Sequence, residues 1–575
     1  MKNIPLIDVR RISNLKEMLD GSAENRKNHT AFLVKREGSD EYFPISYQQF
    51  KHDVDSLGTM LIHMGLKGKK IALIGENSYE WCVSYLATVN GTGITVPLDK
   101  ELPRNEILNL LTRSKSNAVI FSQSIEDQMS GLKDKLGFID FFINKNIKED
   151  NKNILSFYKL LEEGSRLIES GDRSFIDAEI NNEELSILLF TSGTTDLSKG
   201  VMLSHKNITE NLMAMCSMIY IHDDDVFLSI LPIHHTYECT CGFLCPIYSG
   251  STIAICEGLR HIPKNLKQSK ATILLGVPLI FEAMYKRIWE QAGKVPGKAK
   301  KLAFGLKLSN FLRAFHIDIR KKLFAEIHEV LGGHVRLFIS GAAGIDPVVS
   351  KAYRSMGILL IQGYGLTECS PIVALNRDTD YKDDAVGLAL KNFDIKIENP
   401  DCDGIGQIFV KGPSVMLGYY EIDEKDNTSF VNGWFNTGDL GFIDKDKFLH
   451  ITGRKKNVII TKNGKNVFPE EIETLLNRMP YISESLVYGM TDEDSSEGVI
   501  ITASIVPNFE QIEKDFAGNQ LSPERINELV HENIKAVNKG LVIYKKIKDF
   551  NIRDTEFIKT TTKKIKRYLE DDTKK

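Results

Sequence analysis

Short apolar runs alternate with amphipathic helical patterns from about residue 46 onward, and this alternation limits the chain to few architectures. Ser46 and Gln49 make a capping box, and Phe50, Val54, Leu57, Leu61 and Met64 follow at helical spacing. KIALIG (70–75) reads as a short buried strand, a helix follows near 78–89, and GITVPLD reads as the next strand. Pro103 opens a further helix, and AVIFS (118–122) is strand-like again. The order predicts an α/β fold with parallel sheets covered by helices. Residues 123–183 are polar and weakly patterned; alternation resumes with LSILLF (185–190) and continues to about 362. After about 380, short strands separated by Asp, Gly and Pro turns predict a smaller β-rich unit. Pro469, with Glu470 and Glu471 beside it, suits the first turn of a helix. A domain boundary is expected near Gly453–Asn457, and helices mix with strands beyond it.

Composition narrows the function classes. The 575 residues are 42% apolar and 26% charged, the balance of an ordinary globular protein of several folding units. A net charge of −4 provides no global basic field, so nucleic acid is not an expected partner. Eight cysteines without a paired framework point to a reducing, cytoplasmic setting. The N-terminus mixes charged and apolar residues and lacks the core of a signal peptide. The longest uncharged run, Cys239–Cys256, contains Pro246 and two glycines, and its second half reads as turn then strand rather than as a membrane span. Cys239, Cys241 and Cys245 do not follow paired zinc-site spacing and are read as buried thiols. Peripheral contact with a membrane and a homodimer both stay open.

Five segments carry chemistry. TSGTTDLSKGV (191–201) follows the LSILLF strand. Its hydroxyls, its glycine and Lys199 could cradle phosphate oxygens, although alone the run could also be a solvated turn. A Walker-type loop fits poorly, because the order here is Lys-Gly and a strand-like run follows. GYGLTECSP (363–371) follows another apolar strand. GWFNTGDLG (433–441), ITGRKKNVIITKNGKNVFPEEIE (451–473) and EFIKTTTKKIKR (556–567) complete the set.

In this order and at these separations the five segments resemble the adenylate-forming superfamily: acyl-CoA synthetases, luciferases and peptide-synthetase adenylation domains. The resemblance runs from about Ser46 to Arg567. It implies a large N-terminal AMP-binding domain (1–453) of two αβ subdomains plus a small β-barrel at about 380–453. It also implies a hinge at 454–457 and a small mobile α+β C-terminal domain (458–575).

The resemblance assigns roles by position. Thr191, Ser192, Gly193, Thr194, Thr195 and Lys199 match the pyrophosphate-holding loop. Gly341, Ala342 and Ala343 take the adenine-contacting position, and Tyr364 matches the tyrosine that packs on the adenine ring. Thr367 matches the α-phosphate contact and Glu368 the carboxylate that holds Mg²⁺, a hard cation preferring oxygen. Asp439 matches the ribose-binding aspartate and Arg454 the arginine on the ribose–phosphate side. Lys456 takes the hinge position, and Gly464 lies in the loop brought to the thiol channel. The family ends in Pro-Lys-Thr-x-Thr-Gly-Lys-Ile; alignment on Thr560, Thr562 and Ile565 makes Lys564 the catalytic lysine.

Some positions depart from the pattern. Asp196 replaces a glycine and Ser198 a proline in the phosphate loop, Gln407 replaces a glutamate, and Lys563 replaces a glycine. None removes a residue with a direct chemical role. LPIHHTYE (231–238), with His235 as the expected acyl-pocket residue and Glu238 in register, resembles the long-chain fatty acyl-CoA synthetases. VPLIFEAMY (277–285) does too, with Leu279 in place of arginine. The resemblance therefore implies ATP- and Mg²⁺-dependent activation of a medium- or long-chain fatty acid, followed by transfer to coenzyme A. Aryl or branched acids, an acyl carrier protein as acceptor, and a non-catalytic nucleotide-binding homologue are the alternatives.

Overall fold

The computed structural model describes residues 4–132, 135–191, 198–422, 428–461, 465–492, 498–516, 521–560 and 564–570. The chain packs as two units: Met1–Asp394 with Val410–Phe435, and Ile395–Phe409 with Asn436–Lys575. The expected hinge at 454–457 lies inside the second of these.

Two sheets organise the first unit. One has eight strands, ordered Gly418–Tyr419, Lys199–Ser204, Leu185–Thr191, Gly93–Leu98, Lys69–Ile74, Ala118–Phe121, Phe141–Asn144 and Ile154–Ser156. Its centre is parallel, as the alternation predicts, and Leu185–Thr191 pairs antiparallel with Lys199–Ser204. Ala72, Ile74, Val96, Val119, Phe121 and Leu188 build its core with the helix Arg104–Ser114. The other sheet has nine strands. Its parallel centre runs Leu359–Gly365, Leu337–Ser340, Ile273–Gly276, Val226–Ser229 and Thr252–Ile255. Strands from both faces of such a sheet are buried, which explains their continuous apolar runs.

Local signals operate as expected. The Ser46 hydroxyl accepts from the Gln49 N–H at 3.1 Å and starts the helix Tyr47–His63, which buries Phe50, Val54, Leu57 and Leu61. The reciprocal half of the box is not made, because the Gln49 amide donates to Asp53 instead. The weakly patterned 123–183 region holds the amphipathic helix Phe157–Glu169, capped by Ser156. The run from Cys239 becomes a helical turn, the helix Cys245–Ser249 and the strand Thr252–Ile255, broken at Gly250 with φ +78°. Among the described residues, no helix is long and apolar enough to cross a membrane.

The second unit is built around Ile482–Thr491, Val499–Pro507 and Ile547–Ile552. The helices Pro469–Leu476 and Pro523–Asn538 cover them. Ile472, Val487, Ala503, Ile505, Val530 and Ile534 fill its core. Strands Trp434–Ile443 and Leu449–Arg454 form an antiparallel pair in the same unit.

One contact sets how closely two helices of the first unit approach. Gly164, buried in Phe157–Glu169, lies against Tyr47–His63, and a Cβ there would stand 1.9 Å from the Ser56 carbonyl oxygen. The obstacle is backbone, so it cannot rotate away. Gly164→Ala is expected to destabilise the chain by about 1–3 kcal/mol, the overpacking range, despite alanine's higher helix propensity. Denaturant unfolding checks this; an unchanged midpoint would show that the helices separate freely.

Candidate active site

The two strands that bracket the phosphate-loop segment are paired, with Thr191 opposite Lys199 and the Thr191 hydroxyl 3.4 Å from the Lys199 carbonyl. Ser192, Gly193, Thr194, Thr195 and Asp196 lie outside the described residues. Ser198, where the family has proline, is anchored through its carbonyl, which accepts from Arg113 at 2.8 Å. Its hydroxyl faces the Glu106 carboxylate at 3.4 Å. The helix Arg104–Ser114 thus holds this end of the loop.

Gly341 and Tyr364 stand at the C-terminal ends of adjacent parallel strands, since Ser340 pairs with Gln362. Ligands of open α/β sheets bind in the crevice at these strand ends. Gly341 packs flat on Tyr237, whose ring a Cβ would approach to 2.7 Å. Ala342 adopts φ +70°, and both Ala342 and Ala343 are exposed. Thr367 and Glu368 follow in a short helical turn, with the Thr367 hydroxyl 3.4 Å from that of Thr236.

Tyr419 links these elements, and sequence reasoning did not single it out. It lies on the edge strand Gly418–Tyr419, paired with Val201. Its hydroxyl donates to Glu368 Oε1 at 2.8 Å, and the Lys199 ammonium sits 4.7 Å from its ring centroid. Burial first, then the Glu368 charge, holds the phenol above its usual pKa. Lys199, Tyr419 and Glu368 therefore form one connected group. A single partly exposed carboxylate, oriented by a neutral donor, fits Mg²⁺, which takes few protein ligands and completes its shell with substrate phosphates and water.

A cavity of about 10 Å³ is lined by Tyr85, Pro97, Ile187, Leu189, Ile208, His234, Thr236, Cys239 and Thr240. That is room for roughly one water. His234 is among the lining residues, and its ring lies 4.2 Å from that of His235, the residue the resemblance assigns to the acyl pocket. Burial pushes His234 down to about 3, so the imidazole is neutral. Glu238 is buried one helical turn on and accepts from the Ser229 hydroxyl at 2.6 Å. Asn77 donates to the same Ser229 oxygen at 2.8 Å and to the Leu231 carbonyl at 2.7 Å. Burial pushes Glu238 up to about 8 against the pull of that hydrogen bond.

In the second unit, Asp439 and Arg454 face each other across the strand pair, with Arg454 Nε 2.9 Å from Asp439 Oδ1. The Asp439 N–H donates to the Thr437 hydroxyl, which itself donates to the Ile408 carbonyl. Lys564 lies near both. It keeps solvent contact as a residue, yet protein atoms crowd its ammonium. Desolvation first, then the Arg454 charge, pushes it down to about 8, with Asp439 opposing. Lys456 lies in the turn Lys455–Asn457, and Asn457 donates to Glu470 Oε1 at 2.7 Å. Gly464 and Lys563 lie outside the described residues.

Glu238 yields a pH test. The folded chain keeps its proton up to about pH 8, whereas the unfolded chain loses it near 4.5, so stability falls as pH rises through that window. His234 and His205, held down to about 3 and about 4 by burial, act in the opposite sense, but only below their unfolded value of 6.5. Between pH 6.5 and 8 Glu238 acts without them, at up to about 1.4 kcal/mol per pH unit. The melting temperature is expected to fall across this interval and to fall less in Glu238→Gln. Equal slopes would mean that Glu238 is ionised in the folded chain.

Comparison with known proteins gives the same picture. The family model described as "AMP-binding enzyme" matches residues 19–420. Fatty acyl-CoA synthetase B of Dictyostelium discoideum is 29% identical over 92% of this chain and 84% of its own. Long-chain-fatty-acid–CoA ligase 5 of Rattus norvegicus is 29% identical over 82% of this chain and 72% of its own. The crystal structure of ATP-bound MatB from Rhodopseudomonas palustris superposes with a TM-score of 0.74 at 26% identity, covering 98% of this chain and 99% of that one. With the family's motifs at the strand ends and its model matched over most of the length, the chain belongs to the AMP-binding enzyme family.

Proposed function

We propose that this protein activates a medium- or long-chain fatty acid and transfers the acyl group to coenzyme A. In the first step a carboxylate oxygen of the acid attacks the α-phosphorus of ATP. The bond to pyrophosphate breaks, and acyl-adenylate remains. In the second step the thiol sulfur attacks the adenylate carbonyl, the carbon–oxygen bond to phosphate breaks, and AMP leaves as the sulfur's proton passes to solvent. The observation that carries this reading is the connected group Lys199–Tyr419–Glu368, a cation and a carboxylate suited to Mg²⁺ near strand ends of the kind at which open α/β sheets bind ligands. The acid class is supported by the LPIHHTYE stretch and by the names of the two relatives.

Each residue has a task that follows from its chemistry. Lys199 and the 191–200 loop hold the departing phosphates. Thr367 donates toward the α-phosphate, and Mg²⁺ on Glu368 would offset charge on the triphosphate oxygens. Asp439 accepts from the ribose hydroxyls, and Arg454 lies on the phosphate side. Lys564 keeps its proton on Nζ where two anions meet; their approach raises a pKa that crowding alone holds down. Eight free thiols, among them Cys216 and Cys245, whose sulfurs share a hydrogen bond at 3.6 Å and no disulfide, suit a reducing cytoplasm.

ATP–pyrophosphate exchange over a panel of acids tests the proposal. Exchange stimulated by long-chain acids supports it, and exchange only with aryl acids replaces the substrate class. No exchange with any acid would leave a nucleotide-binding homologue. Lys564→Ala is expected to lower adenylation by at least about 10²–10³-fold, the scale for losing a preorganised charge, while sparing thioester formation from supplied acyl-adenylate. Greater damage from Lys563→Ala would shift the lysine assignment by one residue.

The second step requires Lys564 to leave so that the thiol can enter, and we assign the pivot to Lys456. Asn457 is tied to Glu470 at the first turn of Pro469–Leu476, so rotation concentrates just before it. Proline holds φ near −65° and removes a donor. Lys456→Pro should leave pyrophosphate exchange near normal and lower thioester synthesis at least about tenfold, roughly 1.4 kcal/mol on the barrier. Equal loss of both half-reactions would remove the hinge from the mechanism.

A further inference from the structure

The helix Lys298–Ala314 has apolar residues on two faces, and only one of them reaches the core. Gly305 and Ser309 are buried, the Ser309 hydroxyl donates to the Ser355 carbonyl at 2.7 Å, and Leu302 and Leu306 pack against Phe324, Ala352 and Met356. The other face carries Phe304, Leu308 and Phe311, with Phe315 at the C-cap. These positions are spaced i, i+4, i+7 and i+11, so they line one stripe. Phe304, Phe311 and Phe315 are 66%, 61% and 62% exposed. The rings of Phe311 and Phe315 lie 5.1 Å apart, so part of the stripe is a continuous aromatic surface. Ile317 and Leu323 extend the exposed apolar surface beyond the helix. Single exposed apolar residues are ordinary, but a row of three phenylalanines on one face is a patch.

The charge of this segment is the reverse of the whole chain's. Lys294–Lys322 holds nine Lys or Arg and one acidic residue, Asp318, in a protein of net charge −4. Asp318 is already paired with Arg320. At 100° per residue, Lys300 and Lys307 flank one side of the stripe and Lys301 the other, all exposed. A helix lying in a membrane interface has this construction: aromatic residues at the headgroup boundary, lysines beside them reaching lipid phosphates.

We propose that Lys298–Ala314, with the Phe315–Leu323 segment that follows, is a docking surface for an anionic lipid bilayer. Charge complementarity selects this occupant. A second copy meeting this face about a two-fold axis would set the same lysines against one another, which like-charge repulsion opposes. None of its residues is among those assigned to catalysis, and the inference holds whichever acid is activated.

Sedimentation of the full-length protein with vesicles, without ATP or acid, tests it. Vesicles of phosphatidylcholine with about one third phosphatidylglycerol are expected to bind the protein at low ionic strength. Binding should fall at least about tenfold on pure phosphatidylcholine, or at about 1 M salt, where the Debye length shrinks to about 3 Å. The triple variant Phe304→Ser, Phe311→Ser, Phe315→Ser should lose at least about tenfold in binding. The triple variant Lys300→Glu, Lys301→Glu, Lys307→Glu should lose the preference for anionic vesicles. Both should keep the wild-type melting temperature and pyrophosphate exchange. Should either variant fail to fold, Phe311→Trp reports directly, with a blue shift of its emission on adding anionic vesicles. No vesicle binding by the wild type, equal binding by well-folded variants, or no shift of the tryptophan would overturn the proposal. So would a dimer in light scattering that the phenylalanine variant dissolves.

Discussion

The hydrogen bond from Tyr419 to Glu368 joins the two sheets of the first unit at the place where their chemistry must meet. Glu368 follows the last parallel strand of one sheet, while Tyr419 sits on the edge strand of the other, beside Lys199. Buried polar residues reinforce the junction. Asn207 donates to the carbonyls of Pro413 and Val415, and Asn211 donates to those of Cys369 and Ile372. Leaving such groups without partners costs more than each bond contributes, so the arrangement is held in one register. The Glu368 carboxylate and the Lys199 ammonium can then keep their spacing without a ligand to bring them together.

The interior of the first unit buries several ionisable side chains. Glu238, His234 and His205 are buried, and all three favour their neutral forms. Lys145 is also buried; its ammonium donates to the Glu76 carbonyl at 2.9 Å and to the Ser78 hydroxyl at 2.7 Å, with the Glu76 carboxylate 3.4 Å away. Neutral forms avoid most of the desolvation cost that ions would incur in the same places. Of these groups, His234 lines the small cavity, beside Tyr85, Ile187, Leu189 and Ile208.

Much of the fold was legible because its signals are local. Parallel strands announce themselves as apolar runs, Ser46 and Pro469 mark helix starts within a few residues, and each motif is a contiguous stretch of chain. The candidate site was legible to the same extent. Gly341, Tyr364, Thr367 and Glu368 could be named because each lies at or just past the end of a strand that is itself recognisable. Tyr419 was not named, because its partner Glu368 lies 51 positions away and no local pattern announces their hydrogen bond.

The sequence by itself determined the alternating architecture, the order of the motifs and the residue types available at each strand end, because these depend on periodicity and on contacts within one turn or loop. Tertiary structure decided which distant groups meet. Tyr419 reaches Glu368 across 51 positions, and Asp439, Arg454 and Lys564 gather from separate segments of the second unit. It also decided which face of Lys298–Ala314 is core. That helix is apolar on both sides, so its periodicity names no inner face; Phe324 and Met356 cover one side and leave the phenylalanines of the other in solvent. Ionisation was decided in the same way: the Glu238 carboxyl holds its proton because the folded chain removes the water that would stabilise its charge.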